Sequence, residues 1–267
     1  MRKEFKAEVL RSEQTGCDGC RSPKRPVPDF TFSFQPIVDV FTRKIYAYEA
    51  LVRGLNGEGA DWVLEQIDAD NVHAFDQACR THAVRLAARL GMQAPLSINF
   101  LPNAVYSPEQ CIRSTLLECA RSGFPASQLI FEVSETENIL NPSHLLNIFR
   151  RYRAMGFRTA IDDFGAGYAG LGLLSQFQPD LLKLDMGLIR GIEDSLPKQV
   201  IVEGLVATAQ RLGTTVIAEG IETAGERDYL KAAGIALMQG FLFCEPAFES
   251  LGTVGAGIWE QGAETRS

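Results

Sequence analysis

Long apolar runs are missing from this 267-residue chain. None approaches the about 18 residues that a membrane-spanning helix needs, so no membrane role is expected. The N-terminus, MRKEFKAEVLRSEQ, lacks the apolar core of a secretory leader. Basic excess is missing too. With 26 Lys and Arg against 33 Asp and Glu the net charge is −7. That argues against grip on a nucleic-acid polymer, which needs clustered cations. A small phosphate ligand stays open, because bound cations can supply the positive charge. The six cysteines (17, 20, 79, 111, 119, 244) are sparse for this length. They read as reduced thiols of a cytoplasmic protein. Histidine is scarcer still: residues 73, 82 and 144 are the full set, and all fall in helix-patterned segments.

What is present is a repeat of short apolar runs and amphipathic segments. Residues 1–30 form a polar, proline-bearing extension, expected to be partly extended or flexible. From residue 31 strands read as FSFQPIVDV (32–40), IYAYEALV (45–52), PLSINF (95–100), LIFEVSE (129–135), RTAIDDF (158–164), LLKLD (181–185), TTVIAEG (214–220) and ALMQGFLF (236–243). Helical periodicity fills residues 61–90 (as two helices), 108–122, 142–155, 171–178, 196–212 and 224–233. Ser107-Pro108 and Asn141-Pro142 read as helix starts, and Gly156, Gly213 and Gly234 as helix ends. This alternation predicts an α/β fold, a TIM-type (β/α)8 barrel over residues 31–250 with a loose tail at 251–267. Phe41–Lys44 is too short for a helix, so the first two strands form a hairpin and one strand runs antiparallel.

Polar residues interrupt these strands where they end. Glu49, Asn99, Glu132, Glu135, Asp162, Asp163, Lys183, Asp185, Glu219, Glu222 and Gln239 sit in or just beyond seven of them. A barrel brings its C-terminal strand ends together on one face, where barrel active sites lie. A single acid at a strand end is usually a turn residue or helix cap. Recurrence in nearly every strand weakens that explanation. Crowded carboxylates repel unless cations join them. An all-oxygen donor set suits Mg²⁺, Mn²⁺ or Ca²⁺ rather than Zn²⁺. Adjacent Asp162 and Asp163 can bridge or split between two ions, the clamp used for phosphoryl displacement, and Lys183 can hold the attacking water or the phosphoryl oxygen.

In order, YEALVRG, SINF, FEVSE, DDFGAGY, LKLD, IAEGIET and MQGF resemble the motif series of the EAL-domain cyclic di-GMP phosphodiesterases, over about residues 32–250. The resemblance implies a modified barrel with one antiparallel strand. It implies Mg²⁺- or Mn²⁺-dependent hydrolysis of 3′,5′-cyclic di-GMP to linear 5′-pGpG, with Ca²⁺ inhibitory and a homodimer expected. Carried over by position, Glu49, Asn99, Glu132 and Asp162 resemble ligands of one metal. Asp162, Asp163 and Glu219 resemble those of a second. Glu219 resembles the general base, Lys183 the partner of its water, and Glu135 the glutamate that steadies the DDFG loop. Gln35, Leu51, Arg53 and Gln239 resemble substrate-contacting positions; Asp185 and Glu222 match the motifs and are grouped with them. The chain departs mildly: DDFGAGYAGL stands where DDFGTGYSSL is commoner, and Ser134 where Thr is frequent. No position read as a ligand is lost. The expectation is therefore a stand-alone enzyme rather than one of the silent EAL receptors that bind cyclic di-GMP or a protein.

The same loop spells GxGxxG (Gly165, Gly167, Gly170), which could instead cradle a dinucleotide, with Asp180 or Asp185 as the ribose acid. Asp162 and Asp163 would then face a pyrophosphate with like charge, and the segment that follows is short for a crossover helix. DFG also occurs in kinases, but no Gly-rich phosphate loop or HRD segment accompanies it. Cys17 and Cys20 form a CxxC without a second ligand pair, which reads as two thiols on a mobile arm.

Overall fold

The computed structural model describes residues 23–137, 139–167 and 170–259. Cys17, Cys20 and most of the 1–30 extension lie outside them. Nine strands and nine helices order the described chain. They run β1 (Thr31–Asp39), β2 (Lys44–Arg53), α1 (Ala60–Leu64), α2 (Val72–Arg89), β3 (Leu96–Asn99), α3 (Pro108–Cys111), α4 (Arg113–Ser122), β4 (Leu129–Ser134), α5 (Pro142–Ala154) and β5 (Arg158–Phe164). Then come α6 (Gly170–Gln176), β6 (Leu181–Leu184), α7 (Met186–Ile189), α8 (Leu196–Leu212), β7 (Thr215–Ala218), α9 (Ala224–Ala232), β8 (Leu237–Met238) and β9 (Ala247–Phe248).

β2 to β8 pair in parallel, and β1 closes the barrel by pairing antiparallel with both β2 and β8. The expected modified TIM barrel with one reversed strand is therefore what forms, and the reversed strand is the first. The two sides of β1 differ in reach. Against β2 its ladder runs from Thr31↔Arg53 to Asp39↔Lys44; against β8 only Val38↔Met238 and Asp39↔Leu237 meet. The hairpin turn carries Arg43 at φ 58° and is tied by the Asp39 carboxylate, which accepts from the N–H of Phe41 and Thr42.

The helices pack an aromatic layer on the outside of the barrel. Phe131 and Phe157 meet edge-on, Tyr152 lies 4.8 Å from Phe131, and Phe149 stacks on Phe177 at 4.6 Å. The Asn141 side chain caps α5 by accepting from His144 N–H, whereas Ser107 makes no side-chain cap. Gly156, Gly213 and Gly234 end their helices with φ of 89°, 72° and 89°. No helix of the described residues is long and apolar enough to cross a membrane.

Three expectations change. The last strand is two residues, not eight: the chain turns at Gly240, where a Cβ would collide with the Ile221 backbone. The 108–122 segment is two helices meeting at Ile112. The described part of the tail is anchored rather than loose. Leu251 bridges to Phe34, Tyr48 Oη donates to Gly252 O (2.9 Å), Arg227 bonds Ile258 O (2.5 Å), and Trp259 packs on Phe243.

Candidate metal and catalytic site

Side chains on a strand return to the same face every second residue. Inside the barrel, Ile37, Ala47, Ile130, Ala160, Leu181, Ile217 and Leu237 form a closed apolar cluster. Two residues further along six of the seven parallel strands stand Glu49, Glu132, Asp162, Lys183, Glu219 and Gln239. On reversed β1 the step is two residues back, to Gln35. One alternation thus lays a dry floor and sets a polar ring on it.

Lys183 is the centre of that ring. Its side chain is 0% exposed, and Nζ lies 2.8 Å from Glu219 Oε1, 2.9 Å from Asp162 Oδ1, 3.1 Å from Glu132 Oε2 and 3.2 Å from Glu49 Oε2. Burial alone would pull the ammonium pKa down, but the four carboxylates, Asp162 foremost, hold it well above its ordinary value. One cation does not balance four acids. Burial, then the charges of Glu49 and Asp162, push the Glu132 carboxyl up to about 8 even with Lys183 opposing them. Burial and Asp162 likewise push Glu219 well above the carboxylate range. The ring is short of positive charge.

The donor set fits divalent cations. Glu49, Glu132 and Asp162 bring one oxygen each within 4.8 Å of one another, and so do Asp162, Asp163 and Glu219. Asp162 belongs to both triads. Asn99 lies beside the first and donates from Nδ2 to Glu49 Oε1 (3.2 Å). Clusters of hard oxygens without Cys or His suit Mg²⁺, Mn²⁺ or Ca²⁺.

Asp163 reaches the second triad through unusual backbone. Its φ is 54°, a conformation that costs a non-glycine residue of order 1–3 kcal/mol and concentrates at functional sites. Two bonds hold it: Asp163 N–H donates to Asp162 Oδ1 (3.0 Å), and Ser134 Oγ donates to Asp163 Oδ2 (2.8 Å). The Ser134 hydroxyl therefore makes a contact to the acid pair.

The glycines that follow bind a carboxylate of their own chain. Glu135 Oε2 accepts from Gly165 N–H (2.7 Å) and Gly167 N–H (3.4 Å), and Oε1 from Gly170 N–H (2.7 Å). Glu135 N–H donates back to Asp162 O (2.8 Å), so loop and metal-ligand candidate are one bonded unit. A Cβ on Gly170 would lie 2.7 Å from the Phe164 ring and 2.9 Å from the Glu135 carboxyl. Gly170→Ala is thus expected to destabilise the protein by about 1–3 kcal/mol through overpacking. A denaturant midpoint unchanged from wild type would show that the loop has room.

The remaining sequence-read positions separate. Gln239 and Gln35 join the ring: Gln239 Nε2 donates to Glu49 Oε2 (2.8 Å) and Gln35 Oε1 (2.9 Å). Leu51 and Arg53 lie half-buried on the same strand as Glu49. Arg53 Nη1 bonds Val52 O (2.7 Å), and burial lowers its pKa against the opposing pull of Glu49. Asp185 instead caps α7, accepting from Gly187 N–H (2.8 Å), and Glu222 is ion-paired with Arg190. Neither belongs to the acid triads. Ser97 is the residue sequence reading missed: fully buried, it donates to Glu132 Oε1. Its position two before Asn99 in β3 puts it on the same face, and that signal was available.

Comparison with known proteins agrees with this fold. The EAL domain family model matches residues 27–246. A standalone versatile EAL protein from Vibrio cholerae, crystallised with c-di-GMP bound, superposes with a TM-score of 0.85 at 47% identity, covering 88% of this chain and 99% of that one. Klebsiella pneumoniae BlrP1, in a manganese and cyclic-diGMP complex, gives 0.79 at 36% identity over 86% of this chain and 58% of that one. The blue light- and temperature-regulated antirepressor BluF of Escherichia coli is 31% identical over 84% of this chain. The cyclic di-GMP phosphodiesterase RocR of Pseudomonas aeruginosa is 33% identical over 64%. The chain spans 56% of the first of these two relatives and 43% of the second.

Proposed function

The chain belongs to the EAL domain family, and on that premise we propose that it is a phosphodiesterase hydrolysing 3′,5′-cyclic di-GMP to linear 5′-pGpG with divalent metal. One observation carries the reading: five acids and Lys183 converge on a single dry-floored ring, in two triads that share Asp162. A silent receptor could shed several of these groups. Glu49, Asn99, Glu132 and Asp162 would hold one Mg²⁺ or Mn²⁺, and Asp162, Asp163 and Glu219 the other. Such ions polarise a phosphoryl oxygen and stabilise both the entering and leaving oxygens of an in-line displacement.

The chain's own groups do the rest. Lys183 Nζ, 2.8 Å from Glu219, orients the attacking water, and Glu219, ionised when cations join the ring, takes the water's proton. As the water oxygen bonds to phosphorus, the bond from phosphorus to O3′ breaks. That oxygen takes up a proton from solvent and leaves as a hydroxyl, and the phosphate stays on the 5′ carbon. Arg53 is the phosphate partner, since a guanidinium can bind two oxygens at once. Leu51 packs on the substrate at the same strand end. Glu135 keeps the Asp162-Asp163 loop in its acid-presenting shape. Leu196, Val200 and Ile201 stand exposed on α8, apolar surface of the kind a homodimer covers. Light scattering of the eluted protein should return twice the chain mass.

Purified protein incubated with cyclic di-GMP and Mg²⁺ or Mn²⁺ should yield pGpG, resolved by chromatography, and EDTA should abolish it. The name of BluF as an antirepressor motivates the alternative, a receptor that signals by binding. Cyclic di-GMP binding without metal-dependent pGpG would establish that reading instead.

A further inference from the structure

We infer that Gln35 and Gln239 are positioning residues that set the Glu49 carboxylate for its cation, rather than contacts to substrate; the inference rests on the phosphodiesterase reading above. Both side chains are buried, 7% and 3% exposed, although they belong to the mouth of a site that must admit a dinucleotide. Both N–H groups of Gln239 are spent within the protein, one on Glu49 Oε2 and one on Gln35 Oε1. Turning this amide over would set its oxygen against two acceptor oxygens, so its orientation is fixed. Gln35 is fixed in turn, because its Nε2 donates to Cys244 O (3.1 Å).

Close packing continues outward. A Cβ on Gly252 would lie 2.5 Å from Cys244 Sγ, and Gly252 O accepts from Tyr48 Oη, on the residue before Glu49. Residues beyond 246, where the family match ends, therefore brace the turn that holds Gln35. With Asn99 Nδ2 on Oε1, and Gln239 and Lys183 Nζ on Oε2, Glu49 is fixed from three strands besides its own. Groups that orient a metal-binding carboxylate in this way change metal affinity when removed, typically by 10- to 100-fold. A substrate contact would change the Michaelis constant instead.

The test uses the full chain. Gln35→Leu deletes the acceptor that holds Gln239. Mn²⁺ affinity is read by calorimetry without substrate, and kcat and KM by cyclic di-GMP turnover. Mn²⁺ affinity is expected to fall about tenfold or more, with kcat falling and KM for cyclic di-GMP nearly constant. A raised KM with wild-type Mn²⁺ affinity would overturn the inference, as would no change in either. Should Gln35→Leu lose its circular dichroism signal, Gln35→Asn keeps the amide but withdraws it by one methylene, and is read in the same way. If the wild-type protein makes no pGpG, the enzyme reading fails, but the Mn²⁺ comparison still decides the positioning role.

Discussion

Asp162→Ala is expected to lower turnover of cyclic di-GMP by about 10³-fold or more while leaving the fold standing. The magnitude follows from what the residue shares. Asp162 is common to both acid triads, so its loss would disturb both proposed cation sites at once. Charge stabilisation by bound metal is worth several kcal/mol, and each 1.36 kcal/mol is about tenfold in rate. The fold should survive because the change removes a charge from a crowded ring. Lys183 keeps Glu49, Glu132 and Glu219 within about salt-bridge distance, and Glu132 loses one of the charges that push its carboxyl up. Melting temperature and turnover should therefore part company: the first unchanged or raised, the second nearly gone. Activity within tenfold of wild type would remove Asp162 from the mechanism.

Lys183→Met should do the reverse to stability. Methionine fills similar volume but leaves four carboxylates on a dry floor with no protein cation among them. Removing one partner of a buried ion cluster costs about 3–5 kcal/mol. In a domain of this size each kcal/mol lowers the melting temperature by about 2–4 °C. The variant, stripped with EDTA, is expected to melt about 10 °C below stripped wild type. Mn²⁺ should recover much of the gap, since an ion that binds only the folded state stabilises it. Turnover should stay low even when Mn²⁺ is present, because in the proposed reaction Lys183 also orients the water. A stripped variant as stable as wild type would mean that Lys183 is not the counter-charge of the ring.

How far the sequence foretold this depends on range. The ring was legible because its signal is local. On the parallel strands each ring residue breaks an apolar run two residues after a floor residue, as in Ile130 to Glu132 and Leu181 to Lys183. The reversed strand was legible because Phe41–Lys44 cannot hold a helix. Contacts made far along the chain were not. ALMQGFLF reads as one apolar strand, yet the Ile221 backbone stops it at Met238. GxGxxG fits a phosphate loop until Glu135, 30–35 residues earlier, is found occupying its N–H groups. Asp185 and Glu222 carry the same strand-end signature as the true ring members, and only the fold shows them capping a helix and pairing with Arg190. β9 is too short to leave a periodic trace.

The short ladder between β1 and β8 has a consequence for time as well as shape. Glu49 and Gln239 meet across that seam although 190 residues separate them. Contacts between such distant partners form late, since a long loop must first lose its freedom. The nascent chain can display the β1–β2 hairpin and most of its acids long before residue 239 exists to join them. Catalytic competence should then switch on in one step, when two residue pairs latch the barrel shut, with no half-active species on the way. In a refolding experiment the regain of Mn²⁺ binding should lag the regain of helical signal and coincide with the slowest phase.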